Sequence, residues 1–140
     1  MLLNQIKIGT TMELGPVTID EAEMIAFAKR YNPIPLHTDK EYCANTKFGK
    51  VLSSGIMTFL EIWAKYVPND FAGEDLIAGK SAYIEWFAPV FAGDTLHGSA
   101  TVTNITPRND YNGVLEITID IYNQDDKLVL KNVTESIVKR

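Results

Sequence analysis

Apolar residues recur at helical spacing in the first half of the chain and at every second position in the second half, with the change near Ala78. Ala22, Met24, Ile25, Phe27 and Ala28 form the first helical run, stopped by Pro33 and Pro35. Thr18-Ile19-Asp20-Glu21 ahead of it reads as a capping box, with Thr18 accepting from the amide three residues on and Glu21 reaching back. Thr38-Asp39-Lys40-Glu41 repeats that pattern and predicts a short helix over 38–46. A third helix is predicted from Ser53 or Ser54 to Val67, ended by Pro68. Ile56, Met57, Phe59, Leu60, Ile62, Trp63, Ala64, Tyr66 and Val67 make it apolar on nearly every side, so the rest of the fold should wrap it. Glu61 and Lys65, its only charges, stand four apart in the favourable order for an ion pair.

In the second half, Leu115, Ile117, Ile119 and Ile121 alternate with Glu116, Thr118 and Asp120, the mark of a half-buried strand. Further strands fit 78–90, 94–106 and 127–138, and Met12 to Ile19 makes a fifth. Turn signals at Ala92-Gly93-Asp94, Asn109-Asp110-Tyr111-Asn112-Gly113 and Asp125-Asp126 separate them. Short turns between long strands imply antiparallel pairing. The expected class is α+β: one domain over 1–140, with a five-stranded antiparallel sheet curved around a long central helix. Such a sheet leaves strand edges to protect, which predicts a homodimer.

Composition narrows the field. With 140 residues, 46% of them hydrophobic, the chain can bury a core. A net charge of −5 without a basic block argues against nucleic acid as a partner. No stretch approaches a membrane span, and Met1-Leu2-Leu3-Asn4-Gln5 is too short and polar for a signal peptide, so a soluble cytoplasmic protein is expected. Cys43 has no partner for a disulfide or a metal clip and reads as a small buried hydrophobe. No metal-ligand cluster, Ser-His-Asp arrangement or GxGxxG run appears, so no metal and no cofactor is expected.

The chemistry-bearing candidate is Tyr31-Asn32-Pro33-Ile34-Pro35-Leu36-His37-Thr38-Asp39. Two prolines lacking N–H donors predict a rigid, extended loop with a polar side chain at each end, Asn32 and His37. Rigid loops on packed scaffolds commonly carry chemistry; the alternative is a connector in which His37 caps or packs. Asn32 either positions a ligand or serves as a turn residue before proline. Gly55 opens the central helix, where free amides could take an oxyanion, or else it permits close helix–sheet contact. Ser53 and Ser54 fit caps as well as ligands. His97, at a strand edge beside Gly98, reads as structural.

Together with Phe48-Gly49-Lys50-Val51-Leu52-Ser53-Ser54-Gly55, Phe87-Ala88-Pro89-Val90-Phe91-Ala92-Gly93-Asp94-Thr95-Leu96 and Tyr122-Asn123-Gln124-Asp125-Asp126-Lys127-Leu128-Val129, this segment resembles the MaoC-like dehydratases, the R-specific enoyl-CoA hydratase family of the hotdog fold. The resemblance implies hydration of a 2-enoyl-CoA, or dehydration of a 3-hydroxyacyl-CoA, on an acyl-CoA or acyl-ACP thioester. It implies His37 and Asn32 as the catalytic positions, with Gly55, Ser54, Ser53 and Pro35 toward substrate. It also implies a homodimer or a trimer of dimers, with His37 of one subunit near Gly55 of the other.

The departures are specific. Asn32 stands where the family has an aspartate, and an amide accepts no proton at neutral pH. Ile34 replaces an asparagine, Ser54 a histidine found in several relatives, and Leu60 a serine found in some hydratases. Related dehydratases carry a helix glutamate, but Glu61 lies six residues after Gly55 rather than five, off that face. An acyl-CoA thioesterase and a non-catalytic acyl-thioester-binding module therefore stay open as alternatives.

Overall fold

The computed structural model describes residues 1–140. Strands β1 (Thr11–Thr18), β2 (Leu76–Trp86), β3 (Thr95–Pro107), β4 (Asn112–Tyr122) and β5 (Leu128–Lys139) form one sheet in the order β1-β3-β4-β5-β2. Every pairing is antiparallel. Between β1 and β2 come helices α1 (Glu21–Tyr31), α2 (Pro35–Thr38), α3 (Lys40–Ala44) and α4 (Gly55–Tyr66), the last extended by a 3₁₀ turn at Val67–Asn69. This is the expected hotdog arrangement, with α4 as its central helix. No helix is long and apolar enough to cross a membrane.

Register explains the core. Directly paired residues share a face of the sheet. One row joins Ala100, Ile119, Asn132 and Ile84; its neighbours join Val102, Ile117, Thr134 and Ala82, and Gly98, Ile121, Leu130 and Trp86. The alternation read along β4 is the middle of this face, and Ile117, Ile119 and Ile121 are buried on it. Helix α4 lays Met57, Phe59, Ile62 and Tyr66 into the same core. Gly98 makes the approach possible: a Cβ there would stand 2.8 Å from the Asp120 carbonyl oxygen and 3.3 Å from Ile62 Cγ2. The polar pair on this face is satisfied internally, Asn132 Nδ2 donating to Tyr83 O at 3.0 Å and Thr134 Oγ1 to Asn132 Oδ1 at 2.9 Å.

Several expectations shift by local chemistry. Thr18 does not cap α1, because β1 claims it; Asp20 caps instead, accepting from the Glu23 amide at 3.0 Å. At α3 the cap also falls later than expected, by one residue, Asp39 accepting from the Tyr42 amide at 3.0 Å, while Thr38 bonds back to Ile34 O. The Asn32–Asp39 segment is not wholly extended. Pro35 occupies the first turn of α2, where its missing N–H costs nothing, and His37 sits on that turn. Strand β2 ends at Trp86, four residues short of the expected end.

Helix α4 is also less wrapped than its composition suggests, since Ile56 and Leu60 are 44% and 40% exposed. Strand β2 is nearly all exposed as well. The two sheet edges differ. A register shift between Leu14 and Val17, around Pro16, interrupts β1; β2, with register shifts of its own between Leu76 and Ala78 and between Gly79 and Ser81, presents the apolar side chains Leu76, Ile77, Tyr83 and Trp86.

Gly98→Ala forces a methyl against fixed backbone and the fully buried Ile62. It should cost about 1–3 kcal/mol, as overpacking does. Urea denaturation checks this, the midpoint falling with the slope unchanged.

Candidate functional site

The approach to α4 is a buried polar knot. Residues 52–54 run between α2 on one side and Val90 on the other, Leu52 N donating to Leu36 O at 3.0 Å and Ser53 N to Val90 O at 2.8 Å. Ser53 and Ser54 are both buried, and Thr58 one turn on donates toward Ser53 Oγ at 3.3 Å. Asn32, the C-terminal cap of α1, turns its side chain inward and donates from Nδ2 to Ser54 Oγ at 3.2 Å. Ser54 precedes α4 but makes no side-chain cap, so the amides of Gly55, Ile56 and Met57 find no acceptor in the chain.

These groups floor a cavity of about 490 Å³. Asn32, Ser53, Ser54, Gly55 and Thr58 give it polar character, while Phe48, Leu52, Trp86 and Val90 wall it. The fold thus joins Asn32 with Ser53, Ser54 and Gly55 in one place. His37 and Pro35 do not line the cavity. His37 is tied to its wall instead, Nδ1 lying 2.9 Å from Leu52 O. A carbonyl oxygen only accepts, so Nδ1 is the donor, and in the neutral ring Nε2 holds the lone pair. Cys43 braces α2 from behind, its thiol donating to Pro35 O at 3.4 Å and Leu36 O at 3.3 Å. Burial, helped by Asp39, pushes its pKa up and keeps it a neutral donor.

Within one chain the fold already brings these groups together. Asn32 meets Ser54 of its own chain, and His37 binds the carbonyl three residues before its own Gly55. Gly55 has a reason of its own. A Cβ there would stand 2.3 Å from Trp86 Nε1, so the glycine admits an indole rather than the sheet backbone. Sequence reasoning missed Trp86 and Thr58. Thr58 carried a signal, a hydroxyl one turn after Ser54 in an otherwise apolar helix; Trp86 carried none. His97 is structural as expected, paired with Asp126 at 3.2 Å and stacked on Tyr122.

A family model described as the MaoC like domain matches residues 4–120. The chain belongs to the MaoC-like family. It is 25% identical over 141 residues to the uncharacterized protein YdeM of Bacillus subtilis, covering all of both chains. Among solved structures it is similar to a monoamine oxidase regulatory protein from Archaeoglobus fulgidus, with TM-score 0.90, 27% identity, and 100% and 95% of the two chains covered. It is similar also to a MaoC-like dehydratase from Rhodospirillum rubrum, with TM-score 0.88, 26% identity, and 100% and 97% covered.

In this MaoC-like chain Glu61 stands apart from the cavity. It does not close an ion pair with Lys65, contrary to expectation. Partial burial and then the nearby Glu23 raise its pKa above the ordinary 4.5, against a smaller opposing effect of Lys65. A raised carboxyl favours the folded state while protonated, and that contribution is lost as pH rises through the folded value. Glu61→Gln should therefore melt above the parent at pH 7, with the gain shrinking as the pH is lowered toward 5. Thermal melts across that range check it.

Proposed function

We propose that this chain binds an acyl-CoA or acyl-ACP thioester in the Asn32–Gly55 cavity and adds water to its 2-enoyl form, or removes it from the 3-hydroxyacyl form. The observation that carries this reading is the His37–Leu52 hydrogen bond, which commits Nδ1 and leaves Nε2 free to exchange a proton beside a cavity with unpaired helix amides. Membership of the MaoC-like family supports the reaction class.

In this mechanism the Gly55 amide holds the thioester oxygen, where negative charge gathers as water attacks the β-carbon. Asn32, with Nδ2 engaged by Ser54, holds the water through Oδ1. His37 Nε2 takes the proton from that water and returns it to the α-carbon. Oxygen is thereby bonded to the β-carbon and hydrogen to the α-carbon, while the double bond is consumed. Pro35 opens the turn that carries His37, and Ser53 with Thr58 fixes the approach to α4. A second reading, a thioester-binding module, is favoured by one observation: the amide at position 32 cannot share the proton work.

Crotonyl-CoA separates the readings. Loss of the enoyl absorbance without free thiol means hydration, free thiol means thioester hydrolysis, and binding with neither means the module. His37→Ala should lower hydration by roughly 10²–10⁴-fold in a chain that still folds, far more than the modest fall in melting expected from losing the Leu52 hydrogen bond. Asn32→Asp should raise it, within the same range, and add an acidic limb to the pH profile. The carboxylate finds its partner ready, because the Ser54 hydroxyl can turn and donate where it now accepts.

The bare β2 edge and the open side of α4 support pairing of two copies through β2. Tyr83, 57% exposed on that strand, should lie in the contact. Sedimentation at micromolar concentration should show a dimer or a multiple of it, and Tyr83→Lys should shift the chain toward monomer.

A further inference from the structure

We propose that Trp86 selects the acyl group at this site, admitting thioesters that are unbranched at the α-carbon and turning away branched ones. The proposal rests on the acyl-thioester reading above and adds the residue that sets specificity.

Trp86 is the last residue of β2 and pairs with Leu130, which places it on the sheet face that looks toward α4. Its indole reaches the start of that helix. A Cβ built on Gly55 would stand 2.3 Å from Nε1, 2.4 Å from Cε2 and 2.9 Å from Cδ1, so three ring atoms occupy the volume above the Gly55 Cα. The ring also lines the cavity, with Asn32 and Ser54 among the polar groups it faces there. No side chain of the protein hydrogen-bonds it, and it is 48% exposed, so the ring is placed by packing alone and one side remains available.

A thioester that gives its carbonyl oxygen to the Gly55 amide and turns its β-carbon toward the water on Asn32 brings its α-carbon into the cavity that this ring lines. A straight chain offers only hydrogens toward the indole. An α-methyl extends about 1.5 Å further and meets the aromatic edge. Discrimination at a fixed apolar wall of this kind runs from about tenfold upward for a single methyl group.

Butanoyl-CoA and 2-methylpropanoyl-CoA, isomers that cannot be hydrated, provide the test by titration calorimetry on the full chain. The parent should bind the straight isomer at least about tenfold more tightly. Trp86→Ala should bring the two affinities together by gaining the branched one, and Trp86→Phe should fall between. Trp86→Leu serves as the small variant should the alanine form melt early. Equal binding of both isomers by the parent overturns the proposal and leaves thioester binding standing, as does undiminished discrimination in a folded small variant. Binding of neither isomer by the parent removes the thioester reading and this inference with it.

Discussion

Both polar groups of the Leu52 backbone are taken by α2: its N–H by the Leu36 carbonyl and its carbonyl by His37 Nδ1. The rest of the site depends on this clasp. It holds the strand-like approach to α4, so it determines where Ser53, Ser54 and Gly55 stand relative to Asn32. It also fixes the imidazole tautomer, because the bond exists only with the proton on Nδ1. The Cys43 thiol secures the clasp from the far side by donating to the two carbonyls of the same turn. Position and protonation at the site therefore have a common origin in a four-residue helix, Pro35–Thr38.

The fold was readable in the sequence because its signals are periodic. The alternation at Leu115, Ile117, Ile119 and Ile121 marks the buried face directly, and the apolar run after Gly55 marks the central helix. What misled was chemistry shared between neighbours. Thr18 and Asp20 both look like caps, and only the pairing of Thr18 with Thr95 in the sheet decides between them. Pro35 looks like a breaker and acts as a starter, because a proline's meaning depends on whether its absent N–H would have had a partner.

The site was legible unevenly, for a related reason. Asn32, Ser53, Ser54 and Gly55 announce themselves by type and spacing, and the cavity brings them together. His37 was identifiable as a residue, while its bond to Leu52 depends on two segments meeting in space. Trp86 comes from the far edge of the sheet, thirty-one residues after the glycine it touches. No local pattern encodes that contact. Glu61 and Lys65 illustrate the opposite failure, a favourable spacing that closes no ion pair, while Glu23 on another helix raises the Glu61 pKa more than Lys65 lowers it.

The Asn32–Ser54 bond has a consequence for how this scaffold changes over generations. Its acceptor is a hydroxyl, which can reverse the direction of a hydrogen bond by rotating about one torsion. An amide and a carboxylate at position 32 are therefore held equally well, at nearly the same shape and with no other residue altered. A single substitution at position 32 then exchanges amide for carboxylate while the Ser54 contact is kept. Whether position 32 can carry a proton is thus separable from how its side chain is held.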